Sequence, residues 1–195
     1  MSLSDYPIPF QKENLNCMKH KISSGFTLME LLVTIAIVSI VASVAVPNFR
    51  DMVDKGNVAG ATDQLYQNLT YARSEAIKLN SPVTLSFTES SSWCSGLSDG
   101  GVCDCGTTNS CQIDGIDRSS SYNNYNNTSL SVSTALKNAN FNPTRGILEK
   151  AGVPSTGSIT ITNSDDSTIS ATISMNLLGR PSVCSDSISK FPDCT

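Results

Sequence analysis

Hydrophobic and polar positions divide this chain into three regimes. From Phe26 to Val46 the 21 residues are apolar, small or hydroxyl-bearing, and one charge, Glu30, interrupts them. At about 1.5 Å per helical residue this run matches the roughly 30 Å hydrocarbon layer of a bilayer, so it predicts a membrane-spanning helix. From Asn48 to Asn80, Val58, Ala61, Leu65, Leu69, Ala72, Ala76 and Leu79 recur at steps of three and four. They draw one apolar stripe down an otherwise polar helix, suited to packing on a sheet. Pro47, Gly56 and Gly60 are the places where the long helix can bend. Asn80-Ser81-Pro82 ends it, because a residue before proline is pushed out of the α region.

Beyond Pro82 the period falls to two. Val83, Leu85 and Phe87 alternate with polar residues as in one strand of a half-buried sheet. Glu89 to Thr128 lacks a period and is rich in Ser, Gly, Asn and Cys, which reads as loops; the segment with Tyr122 and Tyr125 is either mobile surface or a contact surface. Leu130 and Val132, then Ile159 and Ile161, then Ile169, Ala171, Ile173, Met175 and Leu177 give further alternating runs. Asn163-Ser164-Asp165-Asp166 is a turn between the last two, so an antiparallel hairpin is expected.

The apolar run has a basic entrance, Lys19, His20 and Lys21, followed by Ser23, Ser24 and Gly25. Basic residues on this side place the chain's C-terminal part across the membrane. A carboxylate near mid-membrane costs on the order of 2.5 to 3.5 kcal/mol, so Glu30 calls for a cationic partner or an interfacial position. Gly25-Phe26-Thr27-Leu28-Met29-Glu30, the apolar run and Pro47 together resemble the class III signal of type IV prepilins and pseudopilins. The resemblance implies that a prepilin peptidase and N-methyltransferase cuts after Gly25 and methylates Phe26, with Glu30 as the fifth mature residue and Pro47 as the family's helix-kinking proline. It also implies that Glu30 pairs with a neighbouring subunit's amine inside a filament, where an unpaired charge would be costly.

The organisation expected is a leader at 1–25, a transmembrane and filament-core helix at 26–47, an amphipathic helix at 48–80, and a β-rich domain with disulfides at 81–195. Met18 is an alternative start that leaves an eight-residue leader. Without residues 1–25 the chain holds ten basic and fifteen acidic residues, which gives no overall attraction to nucleic acid or anionic lipid. The only histidine, His20, and Cys17 both fall in the leader, so the mature chain has no His-based triad and no His-ligated metal; no cofactor is implied. Asp165-Asp166 reads as a solvated turn and no activated nucleophile is evident, so the chain is read as a building block and not an enzyme.

Export to an oxidising compartment makes Cys94, Cys103, Cys105, Cys111, Cys184 and Cys194 candidates for three disulfides, with fifteen connectivities open. Cys184 with Cys194 is favoured, since it closes a short C-terminal loop and leaves the other four to pair among themselves. The rival reading for those four is a zinc site, but C-x8-C-x-C-x5-C lacks paired C-x2-C knuckles.

Phe141-Asn142-Pro143-Thr144-Arg145-Gly146, the later hairpin and Gly179-Arg180 resemble the FimT/FimU minor pilins and the GspH pseudopilins. The fold implied is α+β and type IV pilin-like, a long N-terminal helix packed on antiparallel β-sheets. The implied partners are other minor and major pilins or pseudopilins, with the inner membrane as the site before assembly and a surface pilus after it. Three functions follow from the resemblance: a low-copy minor pilin of a priming or tip complex, a pseudopilin of type II secretion, or a DNA-binding pilin of natural transformation. FimT-type proteins carry G-R-x-R, whereas Gly179-Arg180-Pro181-Ser182 keeps one arginine, leaving Arg180 and Lys190 as the DNA-contact candidates.

Overall fold

The computed structural model describes residues 26–89 and 92–194. The leader, Gly25 and the alternative start at Met18 lie outside them. Helix α1 runs from Leu28 to Leu79 and includes Pro47. The chain divides into two compact units, Met1–Ser43 and Val44–Thr195, so the amphipathic part of α1 belongs with the strands. In chain order these are β1 (Val83–Thr88), β2 (Cys94–Ser98), β3 (Gln112–Ile113), β4 (Ile116–Asp117), β5 (Ser119–Ser121), β6 (Thr128–Val132), β7 (Asn140–Phe141), β8 (Leu148–Lys150), β9 (Val153–Pro154), β10 (Gly157–Asn163), β11 (Ser170–Met175) and β12 (Pro181–Cys184). Among the described residues they form a six-stranded sheet in the order β5-β2-β1-β7-β8-β9, a four-stranded sheet in the order β12-β11-β10-β6, and a β3-β4 ribbon. Every pairing is antiparallel. The architecture is therefore α+β, a long helix followed by antiparallel sheets.

The stripe of α1 is the helix's contribution to the core. Val58, Ala61, Leu65, Leu69, Ala72 and Ala76 are buried, and Leu79 is half-buried. They share one apolar cluster with Val83, Leu85 and Phe141 of the larger sheet and with Ile159, Ile161 and Ile173 of the smaller. The helix ends in a Schellman motif, with Asn80 in the left-handed region at φ 50°, its amide bonded to the Ile77 carbonyl and the Ser81 amide to that of Ala76. Arg118 ties the strands back to the helix, with its guanidinium 4.5 Å over the Tyr71 ring.

The structure corrects three expectations. First, Glu89 to Thr128 is not all loop: it contains β2, β3, β4 and β5, and all five residues of β2 are buried. A strand written Cys-Ser-Gly-Leu-Ser shows no apolar alternation because covalent staples cover it. A Cβ on Gly96 would lie 2.2 Å from Cys111 Sγ and 3.1 Å from Cys103 Sγ. For the same reason β1 is not half-buried in alternation, since Thr84 and Ser86 are buried along with Val83 and Leu85; Ser86 Oγ accepts the Cys103 amide at 3.0 Å. Second, the segment read as mobile surface or a contact surface is anchored, because Tyr122 and Tyr125 are half-buried against the core. Gly60 makes room for one of them, because a Cβ there would stand 2.8 Å from Tyr125 Cε1. The glycine is an aromatic seat. Third, β11 stops at Met175 and leaves Leu177 exposed. Asn176 takes the Leu178 and Arg180 amides on its Oδ1, which turns the chain.

The hairpin of β10 and β11 is as expected, pairing Ile159 with Ile173 and Ile161 with Ala171. Asn163 Oδ1 accepts the Asp165 and Asp166 amides at 2.8 Å each, which makes the turn. The outer edge of the smaller sheet, β6, is closed at Val132, whose N–H donates to Glu89 while Lys137 pairs with the same carboxylate. The Lys137 bond, then the Val132 amide, hold the Glu89 carboxyl below its usual range.

Two glycines test this packing with opposite signs. Gly179→Ala would place a methyl at φ +69° and 2.5 Å from the Gly146 carbonyl oxygen, and should cost on the order of 2 to 4 kcal/mol. Gly56→Ala meets nothing within 4 Å on a helix and should stabilise by about 0.5 to 1 kcal/mol. Urea unfolding followed by the fluorescence of Trp93, the single tryptophan, measures both.

Candidate assembly site

The start of α1 is capped by its own sequence. Thr27 lies just outside the helix and its Oγ1 accepts the Glu30 amide at 3.2 Å, while its carbonyl accepts the Leu31 amide at 3.1 Å. This is the backbone arm of a Thr-x-x-Glu capping box; it fixes the Glu30 backbone in the first turn, where the helix dipole favours negative charge. Sequence reasoning missed Thr27, although the four-residue spacing was the signal. Phe26 is 70% exposed and Leu28, Met29, Ile35, Ile37, Val38, Ile40, Val41 and Val44 are exposed too. By length and composition α1 can cross a membrane. Hydroxyls in the apolar run are satisfied within the helix: Thr34, Ser39 and Ser43 donate to the carbonyls of Leu31, Ala36 and Ile40 at 2.7–2.8 Å. A hydroxyl bonded in this way can sit in lipid without an unmet donor. Just past Pro47, Asn48 Nδ2 donates to the Val44 carbonyl at 3.0 Å.

The C-terminal motif residues meet at a junction of two turns. In the first, Asn142 Oδ1 accepts the Thr144 and Arg145 amides, and Gly146 closes it at φ 61°. In the second, Gly179 is buried with its Cα against the backbone of Gly146, Ile147 and Leu148. Arg73 of α1 donates from Nε to the Gly146 carbonyl at 2.8 Å, a role with no signal in the pattern around it. Of the two DNA-contact candidates, Arg180 is exposed, whereas Lys190 is ion-paired to Asp63 of α1 and lies 5.6 Å over the Phe191 ring. Nothing here brings the two cations into one strip.

All six candidate cysteines are in disulfides: Cys94–Cys105, Cys103–Cys111 and Cys184–Cys194. The first two cross each other and keep their four sulfurs from serving as zinc thiolates; among the described residues no cluster suited to a metal occurs. Carboxylates brace the stapled loop. Asp117 takes the Ser119 hydroxyl at 2.7 Å and the Asn109 amide at 2.8 Å, and these bonds, in that order, pull its carboxyl below the usual range. Asp104 is lowered likewise by the Thr107 hydroxyl and then the Gly106 amide.

An exposed, capped apolar helix followed by a disulfide-bonded β domain defines a membrane-anchored subunit of the pilin class. A profile described as the prokaryotic N-terminal methylation motif matches residues 20–46. A second, described as type II transport protein GspH, matches residues 61–179, and the chain belongs to this family. The family is one of structural pilins and pseudopilins that assemble with other pilins and are processed by a prepilin peptidase. Two crystal structures of the type IV minor pilin FimU from Pseudomonas aeruginosa strain PAO1 are similar. They share 18% and 17% identity at TM-scores of 0.46 and 0.48, covering 64% and 68% of this chain and 90% and 91% of theirs. No curated protein matches significantly.

Acid should loosen the stapled loop. A carboxyl with a lowered folded pKa stabilises above its unfolded value, about 3.9 for Asp, and that contribution is lost as pH falls through the folded value. Hydrogen-exchange protection of the Asn109 and Ser119 amides should therefore fall below about pH 4. In Asp117→Asn that pH dependence should vanish; protection in the wild type that ignores acid would contradict the assignment.

Proposed function

We propose that the chain is a minor pilin of a type IV pilus, of the FimU/FimT kind, incorporated in low copy in a priming or tip complex. It would support pilus assembly and the twitching, adhesion or DNA uptake that depend on it. The observation that carries this reading is the exposed apolar segment Phe26–Val46, whose one charge, Glu30, is fixed in the first helical turn. Such a surface is stable in lipid or among similar helices, not in water. Cleavage after Gly25 would create an ammonium at Phe26, and a neighbour's Glu30 would neutralise it inside the filament. Leaving one partner of that pair alone costs about 3 to 5 kcal/mol, enough to decide assembly.

The domain's three disulfides support a subunit that works outside the cytosol, where no reductant pool keeps thiols reduced. A second reading, a minor pseudopilin of type II secretion, is favoured by the family profile over residues 61–179. Direct DNA binding has the least support, because Lys190 is committed to Asp63 and Arg180 stands without a second arginine at position 182.

In sheared surface filaments the protein should appear at low stoichiometry, beginning at N-methylated Phe26 by mass spectrometry, and a deletion strain should have few filaments. Glu30→Ala should keep native Trp93 fluorescence yet enter filaments at least about tenfold less; Gly25→Ala should stay unprocessed. Intact filaments with lost secretion would replace this reading by the pseudopilin.

A further inference from the structure

Three arginines gather where the two turns touch. Arg145 precedes Gly146 and Arg180 follows Gly179, and these glycines are in backbone contact. Arg73 is bonded to the carbonyl of Gly146 and is thereby committed. Arg145 and Arg180 are exposed, and among the described residues their guanidinium groups have no hydrogen-bond or ion-pair partner. Beside them the surface is aliphatic. Ile77 of α1 is 50% exposed and its Cδ1 touches Gly146; Leu177 and Leu178 are each 60% exposed. Side-chain amides fix both turns, so the patch is held before any partner arrives: Asn142 Oδ1 takes the Arg145 amide at 3.1 Å, and Asn176 Oδ1 takes the Arg180 amide at 2.9 Å.

The charge state of this patch is opposite to the rest of the domain. Most carboxylates already have donors within the chain: Asp63 and Glu89 hold lysines, Glu149 takes Asn142, and Asp104 and Asp117 take hydroxyls and amides. In a chain with an acidic excess these two arginines, like Arg50 on α1, keep a positive charge with no hydrogen-bond or ion-pair partner among the described residues. We propose that this face docks an acidic segment of a different polypeptide, with Arg145 and Arg180 receiving its carboxylates and Ile77, Leu177 and Leu178 receiving an aliphatic side chain. Guanidinium forks match carboxylates, and the leucines give a desolvated centre beside a charged rim. A nucleic acid would gain nothing from three aliphatic side chains, and no aromatic platform for bases stands among them. A second copy is a poor occupant, because its own carboxylates are so largely engaged. The proposal does not depend on whether the filament is a pilus or a pseudopilus.

The test uses the full chain in its native membrane. Leu178→p-benzoyl-phenylalanine is irradiated in cells and the cross-linked peptide is sequenced. The expected product joins position 178 to a segment of another protein that carries several Asp or Glu residues. Its yield should fall roughly tenfold or more on combining Arg145→Glu with Arg180→Glu, because like charges then face each other across the contact. Arg145→Gln with Arg180→Gln, which adds no charge, should give a smaller but clear loss at unchanged Trp93 fluorescence, and the double Lys variant, which keeps the charge without the fork, should lose less than the Gln pair. A cross-link to a second copy, to nucleic acid or to a segment without acids, no cross-link, or a yield indifferent to the arginines would overturn the proposal.

Discussion

A helix that buries only a stripe must meet its partners along that stripe, and the ordered domain depends on this constraint. Between Val58 and Ala76 the buried stripe sets two long side chains, Leu65 and Leu69, between small ones, Ala61 before them and Ala72 and Ala76 after. Small residues let other elements come close to the helix backbone, while leucines fill the space between. The same cluster takes in residues of both sheets, so the helix is the shared wall of one core and not an appendage to it. Gly60 continues that logic at the edge of the stripe, where the missing Cβ admits the Tyr125 ring.

Where apolar side chains supply the burial, the fold was legible in the sequence. The apolar run, the stripe, the helix end at Asn80 and the β10-β11 hairpin are all written as periodicities or turn residues, and each requires only local chemistry to be read. β2 was invisible for a physical reason: Cys94 to Ser98 is buried under sulfur from Cys103 and Cys111 in the following loop, so neither apolar alternation nor β-branched residues were needed. Leu177 misled because alternation continues past the point where Asn176 captures the next amides. Of the assembly site, Glu30 and the apolar segment were evident from composition, while Thr27 was hidden in an ordinary-looking Thr-x-x-Glu. Arg73 could not be foreseen, since its partner is a backbone carbonyl 73 residues away.

The two crossing disulfides and the two Asx-type turns solve a common problem by different means. Residues Cys94 to Cys111 are too polar and too rich in glycine to hold a shape by burial, and cross-links shrink their unfolded ensemble. The turns at Asn142 and Asn176 are instead fixed by side-chain carbonyls that satisfy backbone donors, leaving Arg145 and Leu178 exposed on ordered backbone.

The closed edge of β6 has a consequence for how such subunits are stored. A chain anchored in a membrane sits at high local density beside its neighbours, and an open strand edge invites irreversible zipping of sheet to sheet. The Glu89 carboxylate occupies the Val132 N–H and carries Lys137 with it, so a strand arriving at that edge meets a charge pair in place of a free donor. Sheet-to-sheet pairing is thereby disfavoured at that end of β6, which leaves the exposed apolar helix as the surface open to association.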